Sequence, residues 1–208
     1  ATLMEYRMLE KGDIFVAMEG GKSRILTGVE KMPEGKKHTV KEIEALAEGE
    51  RAELIDGELY MMAAPTMTHQ DILGWLNMRI RLYIMEKNGA CKVLPAPFAV
   101  YIKEDDHNYV EPDLSVICDV DKLDEKGCHG APDWVIEIVS PSSKVMDCVR
   151  KHSLYGEAGV REYWVVDPEE RSVVVYGFAH DFSKQYSFTD RVKAGIYEDL
   201  YIDFSELE

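Results

Sequence analysis

The spacing of apolar residues predicts a long helix followed by several strands. Between Thr68 and Lys87 the apolar residues recur at helical intervals, which predicts an amphipathic helix that closes near Asn88-Gly89. Extended runs then occupy residues 91–95, 97–102 and 113–117. A further short, continuous apolar run at residues 133–140 is typical of a strand covered on both faces.

The rest of the pattern predicts a mixed α/β fold. We expect a helix from about Lys144 to Ala158, closed by Gly159, and then a strand at residues 162–167. Two parallel strands joined in this way form a right-handed crossover. Edge strands are predicted at residues 172–178 and around Tyr186 to Phe188. The expected fold is an α/β fold, with a mixed β-sheet flanked by helices.

Two local signals and a change in character near the N-terminus complete this outline. Thr39 opens a capping-box pattern, which predicts a short helix, and Asp56-Gly57 between two apolar runs predicts a tight β-hairpin. Residues 1–37 contain short strand-like runs separated by turn residues. We interpret them as a β-rich N-terminal extension packed on the main domain, which spans residues 38–208.

Composition limits the classes of function. The net charge of −15 argues against broad non-specific binding of nucleic acid, which depends on Lys and Arg, but it permits a small basic groove. No apolar run is long enough to cross a bilayer, and the first residues lack a signal-peptide pattern, so we expect no membrane partner. The four cysteines are scattered, which favours reduced thiols in a cytoplasmic protein.

Candidate chemistry begins with two carboxylates in apolar strands. Glu137 interrupts the run at residues 133–140, and Asp113 opens the strand that follows Pro112. Taken singly, Glu137 is better explained by a structural salt bridge and Asp113 by ordinary strand entry. Together, on neighbouring strands, the two side chains are suitable ligands for Mg²⁺ or Mn²⁺, with the carbonyl of Ile138 as a third oxygen.

A lysine on the following helix adds a cation to this arrangement. Lys151 lies four residues after Asp147, and the simpler interpretation is a surface ion pair between them. The functional interpretation places the Lys151 ammonium over the strand ends, where it orients a water molecule and stabilises charge on a reacting phosphate. The aromatic residues of this region are interpreted as core packing: Trp134, Tyr155, Tyr163 and Trp164.

Several of these segments resemble one family. The segment PDLSVI, then Glu137 in VIEIVSPSS, then DCVRKHSLYGEAGVREYWVVDP resemble the Uma-two family of restriction-endonuclease-like proteins, within the broad PD-(D/E)XK nuclease group. The resemblance runs from about Val40 to Phe204 and leaves out residues 1–37. It implies a restriction-endonuclease-like fold.

The resemblance also implies roles for individual residues. Asp113 matches the aspartate of the first motif and Glu137 the acidic residue of the second. The position where the broader group carries its lysine is Val139, which cannot supply a cation, and Lys151 is the matching lysine. Glu53 matches an acidic position ahead of the metal site, although an exposed strand residue is an equally simple interpretation.

Two further positions match the family less specifically. His69 and Asp147 are implied as substrate contacts, although His69 is also explained by a local role at a helix start. We therefore expect a metal-dependent endonuclease that acts on DNA, with two alternatives: a binding or regulatory protein with the same fold, or a hydrolase of another phosphoester. The resemblance also implies a homodimer.

Overall fold

The structure, a computed structural model, describes residues 37–140 and 146–207, together with the backbone of three strands closer to the N-terminus. Its contacts divide the chain into two units, residues 1–37 and residues 38–208. In the first unit, three antiparallel strands form one sheet in the order β1-β2-β3. They are Arg7–Met8 (β1), Phe15–Glu19 (β2) and Lys22–Leu26 (β3). The packing of this extension on the main domain stays a prediction.

The second unit begins with a helix, a hairpin and a long helix, as the sequence predicts. These elements are Val40–Glu44 (α1), Ala52–Ile55 (β4), Glu58–Met61 (β5) and Met67–Glu86 (α2). Glu42 accepts a hydrogen bond from the Thr39 N–H at 2.6 Å, which stabilises the start of α1. At the hairpin, Asp56 and Gly57 both have positive φ, as a type I′ turn requires.

The remaining elements are mostly short strands. The strands are Lys92–Pro95 (β6), Val100–Tyr101 (β7), Leu114–Ile117 (β8), Cys128–His129 (β9), Trp134–Ile138 (β10), Glu162–Asp167 (β11), Ser172–Gly177 (β12), Phe182–Ser187 (β13), Arg191–Lys193 (β14) and Tyr201–Asp203 (β15). The helices are a π-helical turn at Met146–Lys151, the α-helix His152–Ala158 (α3), and 3₁₀ turns at Val120–Lys122, Phe178–His180 and Phe204–Glu206. Among the helices of the described segments, none combines the length and apolar character that crossing a bilayer demands.

A mixed sheet of six strands forms the centre of the second unit, in the order β13-β12-β11-β10-β8-β6. Only β10 and β11 pair in parallel among these six strands, and they are joined by the predicted helix. Two strand predictions are wrong. The run 97–102 yields only the short β7, which pairs with β9 outside this sheet. The run 172–178 becomes an internal strand, since β13 pairs along its outer side.

The helix of the crossover differs from the prediction in its geometry. Its predicted start, from Lys144, lies outside the described residues. From Met146 to Lys151 the backbone forms a π turn, and regular α-helix begins only at His152. A π turn rotates the following side chains relative to a continuous α-helix, so helical spacing across it does not predict which residues share a face. Gly159 closes the helix with φ of 93°, as predicted.

The two faces of the sheet bury different sets of residues. Helix α2 packs on one face through five apolar residues: Ile72, Leu73, Leu76, Ile80 and Ile84. Because side chains alternate along a strand, Trp134, Ile136 and Ile138 of β10 face this helix. Val135 and Val139 lie on the opposite face with residues of α3. Glu137 shares that second face by the same alternation.

The expectation of reduced thiols is wrong for one pair of cysteines. Cys91 and Cys118 form a disulfide, with their Cα atoms 3.9 Å apart. The antiparallel register of β6 and β8, in which Lys92 faces Ile117, brings the residues just beyond it opposite each other. The side chain of Cys128 is a free thiol and is buried. Sequence spacing did not reveal this pair because it depends on the strand register.

Candidate active site

Asp113 and Glu137 lie side by side at one end of the sheet. Strand β8 runs antiparallel to β10, with Leu114 opposite Ile136. Asp113, the residue before β8, therefore lies beside the C-terminal end of β10. The Asp113 N–H donates to Glu137 Oε2 at 3.3 Å, and the Ile138 N–H donates to Asp113 Oδ2 at 2.7 Å. Each carboxylate is therefore fixed by the backbone of the neighbouring strand.

Glu137 is buried against two donors from the crossover helix. Its exposed fraction is 3%, and that of Lys151 is 4%. Lys151 Nζ donates to Glu137 Oε1 at 2.9 Å, and the Tyr155 hydroxyl donates to the same oxygen at 2.7 Å. Burial, with the nearby charge of Glu137, raises the pKa of Tyr155 well above 10. The phenol therefore stays protonated and acts as a donor to the carboxylate.

Glu53 is the second carboxylate that pairs with the Lys151 ammonium. Its Oε2 lies 2.8 Å from Lys151 Nζ, while its Oε1 accepts the Glu111 N–H at 3.0 Å. Strand β4 reaches this position because Leu54 and Tyr109 exchange backbone hydrogen bonds of 2.7 and 2.8 Å. The sequence left Glu53 open between an exposed strand residue and a site residue. With 5% of it exposed, Glu53 is a buried neighbour of the site.

Further polar contacts hold Glu111, the residue whose N–H donates to Glu53. Arg51 donates to Glu111 Oε2 through Nε and Nη2 at 2.7 and 2.5 Å, and the Tyr109 hydroxyl donates to Glu111 Oε1 at 2.8 Å. Burial, followed by the hydrogen bond to Glu111, raises the pKa of Tyr109. Both carboxylate oxygens of Glu111 are therefore hydrogen-bonded, and these contacts fix the residue whose backbone N–H donates to Glu53.

His69 joins the site from the start of α2. The helix begins after Thr66, whose hydroxyl accepts the His69 N–H at 3.2 Å. His69 Nε2 lies 3.1 Å from Asp113 Oδ2, so an imidazole protonated at Nε2 donates to that carboxylate. The predicted local role at the helix start and a hydrogen bond to Asp113 therefore occur together, while contact of His69 with a substrate stays a prediction. The side chain of Asp147 lies outside the described residues.

The lysine position of the broader group lies in the core. Val139 is buried among apolar residues with Leu154, and its N–H donates to the Val166 carbonyl at 2.9 Å. A lysine there would enter an apolar environment. Lys151 reaches Glu137 instead from the last residue of the π turn.

The chemistry of the donors suits a divalent cation with few protein ligands. Asp113, Glu137 and Glu53 carry three negative charges against one positive charge of Lys151, so the cluster has a formal charge of −2 when His69 is neutral. Within residues 37–140 and 146–207, no three His, Cys, Asp or Glu side chains are arranged to hold one metal ion. Mg²⁺ commonly uses one or two carboxylates and keeps several waters, so the pair of Asp113 and Glu137 fits it.

The carbonyl of Ile138 is the third expected oxygen. The N–H and C=O of a residue in extended backbone point to the same side of the strand. Because the Ile138 N–H points at Asp113, its carbonyl is directed to the same side of the strand. Coordination by Ile138, and the catalytic roles of the other site residues, stay predictions.

Sequence reasoning missed Tyr155, which was interpreted as packing. It does pack, with its ring centroid 4.9 Å from that of Tyr163, but its hydroxyl is bound to Glu137. The available signal was its position four residues after Lys151, on the regular helix that follows. The Arg51–Glu111 pair was also missed, because it joins residues far apart in the sequence.

Comparisons with known proteins identify the family of the chain and the fold. A family profile described as "Uma2: Putative restriction endonuclease" matches residues 40–196. Among curated proteins, none matches the chain. A crystal structure described as a putative nuclease belonging to DUF820, from Anabaena variabilis ATCC 29413, is similar with a TM-score of 0.67 and 20% identity. The match covers 81% of this chain and 96% of that one, which confirms the mixed α/β fold. Since the profile spans most of the chain, the protein belongs to the Uma2 family.

Proposed function

We propose that the protein is a metal-dependent endonuclease that hydrolyses phosphodiester bonds in DNA. The observation that carries this proposal is the position of Lys151, whose ammonium lies 2.9 Å from Glu137 although it belongs to a different element. Paired carboxylates can hold a divalent ion, and a cation beside them can stabilise negative charge that develops on a phosphate during hydrolysis. Membership of a nuclease-like family supports the same reaction class.

Asp113, Glu137 and the Ile138 carbonyl would hold Mg²⁺ or Mn²⁺. When bound, such an ion polarises a phosphoryl oxygen and lowers the pKa of a coordinated water. The Ile138 N–H and His69 fix Asp113, and Tyr155 fixes Glu137, so both ligands are held before a metal arrives. This preorganisation favours one coordination geometry.

Lys151 would position the attacking water and stabilise negative charge on the phosphate. An ammonium has three N–H donors, and two of them are directed at Glu137 and Glu53. Glu53 therefore acts through Lys151, because it holds the ammonium at the strand ends. Losing this support should let the lysine side chain move away from the reacting phosphate.

Plasmid nicking tests the reaction. Supercoiled DNA incubated with Mn²⁺ should be nicked by the wild type, whereas Glu137→Gln should reduce the rate at least about 100-fold, as expected when a ligand for the metal is lost. Glu162→Gln is the matched control, since it removes a buried carboxylate from the adjacent strand. Equal nicking by wild type and Glu137→Gln would assign the activity to a contaminant and overturn the proposal.

A regulatory or binding role without efficient catalysis is the second candidate. The observation that favours it is the net charge of −15, because nucleases that grip duplex DNA usually carry a basic face. Calorimetric titration with Mn²⁺ separates the two, since a nuclease must bind the ion. Absence of metal binding up to millimolar Mn²⁺ would favour the regulatory role, while metal binding without any affinity for DNA would favour another phosphoester.

A homodimer would let two sites address the two strands of a duplex. Sedimentation analysis of the protein alone tests this part of the proposal, and a monomer at all concentrations would contradict it. The outcome does not affect the assignment of Asp113 and Glu137, because both ligands belong to one chain.

A further inference from the structure

We propose that Arg150 binds the DNA backbone beside the reacting phosphate, from a platform formed by the ring of Tyr60, and that the phosphate replaces Glu58 as its anionic partner. This inference rests on the proposed function and adds a substrate-binding residue to it. Arg150 directly precedes Lys151 in the crossover helix, but its side chain is about half exposed, whereas Lys151 is buried. One helix turn therefore supplies a buried cation to the carboxylates and an exposed cation to the adjacent surface.

The hairpin of β4 and β5 places the platform next to the site. In its register Tyr60 faces Glu53, and facing residues of an antiparallel pair lie on the same side. Glu53 contacts Lys151 on that side, and the guanidinium of Arg150 lies over the Tyr60 ring, 5.2 Å from its centroid. The neighbouring pairs Glu53–Lys151 and Tyr60–Arg150 thus link the same two elements, the first buried and the second exposed.

Two contacts set the orientation of the guanidinium. The ring of Tyr60 lies below it, and Glu58 Oε2 lies 2.6 Å from Arg150 Nη1. The Tyr60 hydroxyl also donates to Glu58, which ties the three side chains together. A planar guanidinium held on an aromatic face loses little freedom when it forms a further contact, and its fork matches two oxygens of a phosphate.

Exchange of Glu58 for a phosphate is physically reasonable. Both are oxyanions, and the present pair is exposed on both sides, with side-chain exposures of 51% for Arg150 and 65% for Glu58. Exposed ion pairs are weak because water and salt screen them. A DNA phosphate next to the one held at Asp113 and Glu137 would therefore compete with Glu58 for Arg150. This local contact also explains how an acidic protein can engage an acidic polymer.

Salt-dependent DNA binding tests the inference with a matched control. Arg191 on β14 also pairs with a carboxylate, Asp203, and lies 5.3 Å from the centroid of the Tyr201 ring. Strand β14 pairs with β15, and neither strand carries a proposed site residue. Arg150→Gln and Arg191→Gln therefore remove the same charge from similar surroundings, and only the first should affect DNA.

The measurement is fluorescence anisotropy of a short labelled duplex and of its single strand, in EDTA and again in Ca²⁺. Arg150→Gln should weaken binding and lower the steepness of log affinity against log salt by about one, the effect of one lost phosphate contact. Glu58→Gln should strengthen binding, because it removes the competing carboxylate. Arg191→Gln should match the wild type in both respects.

The outcomes separate this inference from the proposed function. Unchanged affinity and salt dependence in Arg150→Gln, equal losses in the two arginine variants, or no wild-type binding to either probe would overturn the inference. Plasmid nicking in Mn²⁺ tests the reaction independently. A wild type that binds DNA through Arg150 but does not nick it would overturn the nuclease proposal and leave the assignment of Arg150 standing.

Discussion

Two buried glutamates in adjacent strands have different surroundings and different consequences. Glu137 of β10 is 3% exposed and Glu162 of β11 is 2% exposed. The parallel register pairs Glu137 with Val165 and Glu162 with Trp134, so the two side chains lie towards opposite ends of the strand pair. By sequence, Glu137 interrupts an apolar strand and Glu162 opens one.

Glu162 is held by neutral donors. Trp164 Nε1 donates to its Oε1 at 2.5 Å, and the Ile196 N–H donates to its Oε2 at 2.9 Å. The fit is close, because a Cβ on Gly195 would approach Oε2 to 2.7 Å. Burial raises the pKa of Glu162. The carboxylate therefore fastens the segment around Ile196 to the sheet, which is a structural task.

Glu137 differs from Glu162 in its partners more than in its burial. It shares the ammonium of Lys151 with Glu53, and the backbone of Asp113 donates to its other oxygen. A buried carboxylate therefore does not by itself mark a site. A second carboxylate and a cation from another element distinguish a reactive arrangement from a structural one.

The largest effect is expected from removing the shared cation. Lys151→Met would leave Glu53 and Glu137 buried without the ammonium between them, which should lower the free energy of unfolding by about 3–5 kcal/mol. Urea denaturation at neutral pH measures the loss. Lys103→Met is the control, since Lys103 belongs to a more exposed pair with Glu157 and should change stability by less than about 1 kcal/mol. Similar losses in both variants would mean that Lys151 does not hold the two carboxylates.

A smaller loss is expected when Glu137 loses only the hydroxyl of Tyr155. Tyr155→Phe keeps the buried ring and removes one hydrogen bond to the carboxylate, which should lower the free energy of unfolding by about 1–3 kcal/mol. Because Glu137 Oε1 then keeps Lys151 but loses the phenol, the carboxylate is held less firmly, and Mn²⁺ affinity measured by calorimetry should fall as well. Tyr83→Phe removes a hydroxyl bound to the exposed Asp199 and should leave metal binding unchanged. A Tyr155→Phe protein with wild-type stability and metal affinity would contradict this role.

The smallest effect should be a pH-dependent one at Glu162. Burial raises its pKa above the ordinary value of 4.5, so the folded protein holds this proton more tightly than the unfolded chain does. The stabilisation is complete below pH 4.5 and is lost as pH rises through the folded pKa. The stability of the wild type relative to Glu162→Gln should therefore fall with rising pH, by less than about 1.4 kcal/mol per pH unit. Urea denaturation across this range checks it, and a parallel pair of curves would refute it.

Elements with strong local signals were predictable from the sequence. Asp56-Gly57 specified the hairpin, and helical spacing specified α2, which runs from Met67 to Glu86. The neighbourhood of Asp113 and Glu137 was predictable too, because strand ends meet at one edge of a sheet. These features depend on residues close in sequence or on general rules of strand pairing.

Features that depend on exact register or side-chain direction were not predictable. The Cys91–Cys118 disulfide required the alignment of β6 with β8. Tyr155 could be placed on one helix face with Lys151, but its contact with Glu137 required the position of that helix against β10. The place of β12 inside the sheet required knowledge of β13. Each of these contacts joins two segments that are distant in the sequence, so predicting it requires the relative position of both segments.

Because Lys151 and Tyr155 both come from the crossover helix, the site has two parts with separate stabilities. Asp113 and Glu137 stay in place as long as the central strands hold together. Local opening of the helix would break no strand ladder, although it would expose the buried side chains of Leu154 and Tyr155. Such an opening would withdraw the ammonium and the phenol in one event and leave the paired carboxylates behind. The lifetime of the complete site is therefore the lifetime of the docked helix, and amide hydrogen exchange in His152–Ala158 reports it directly.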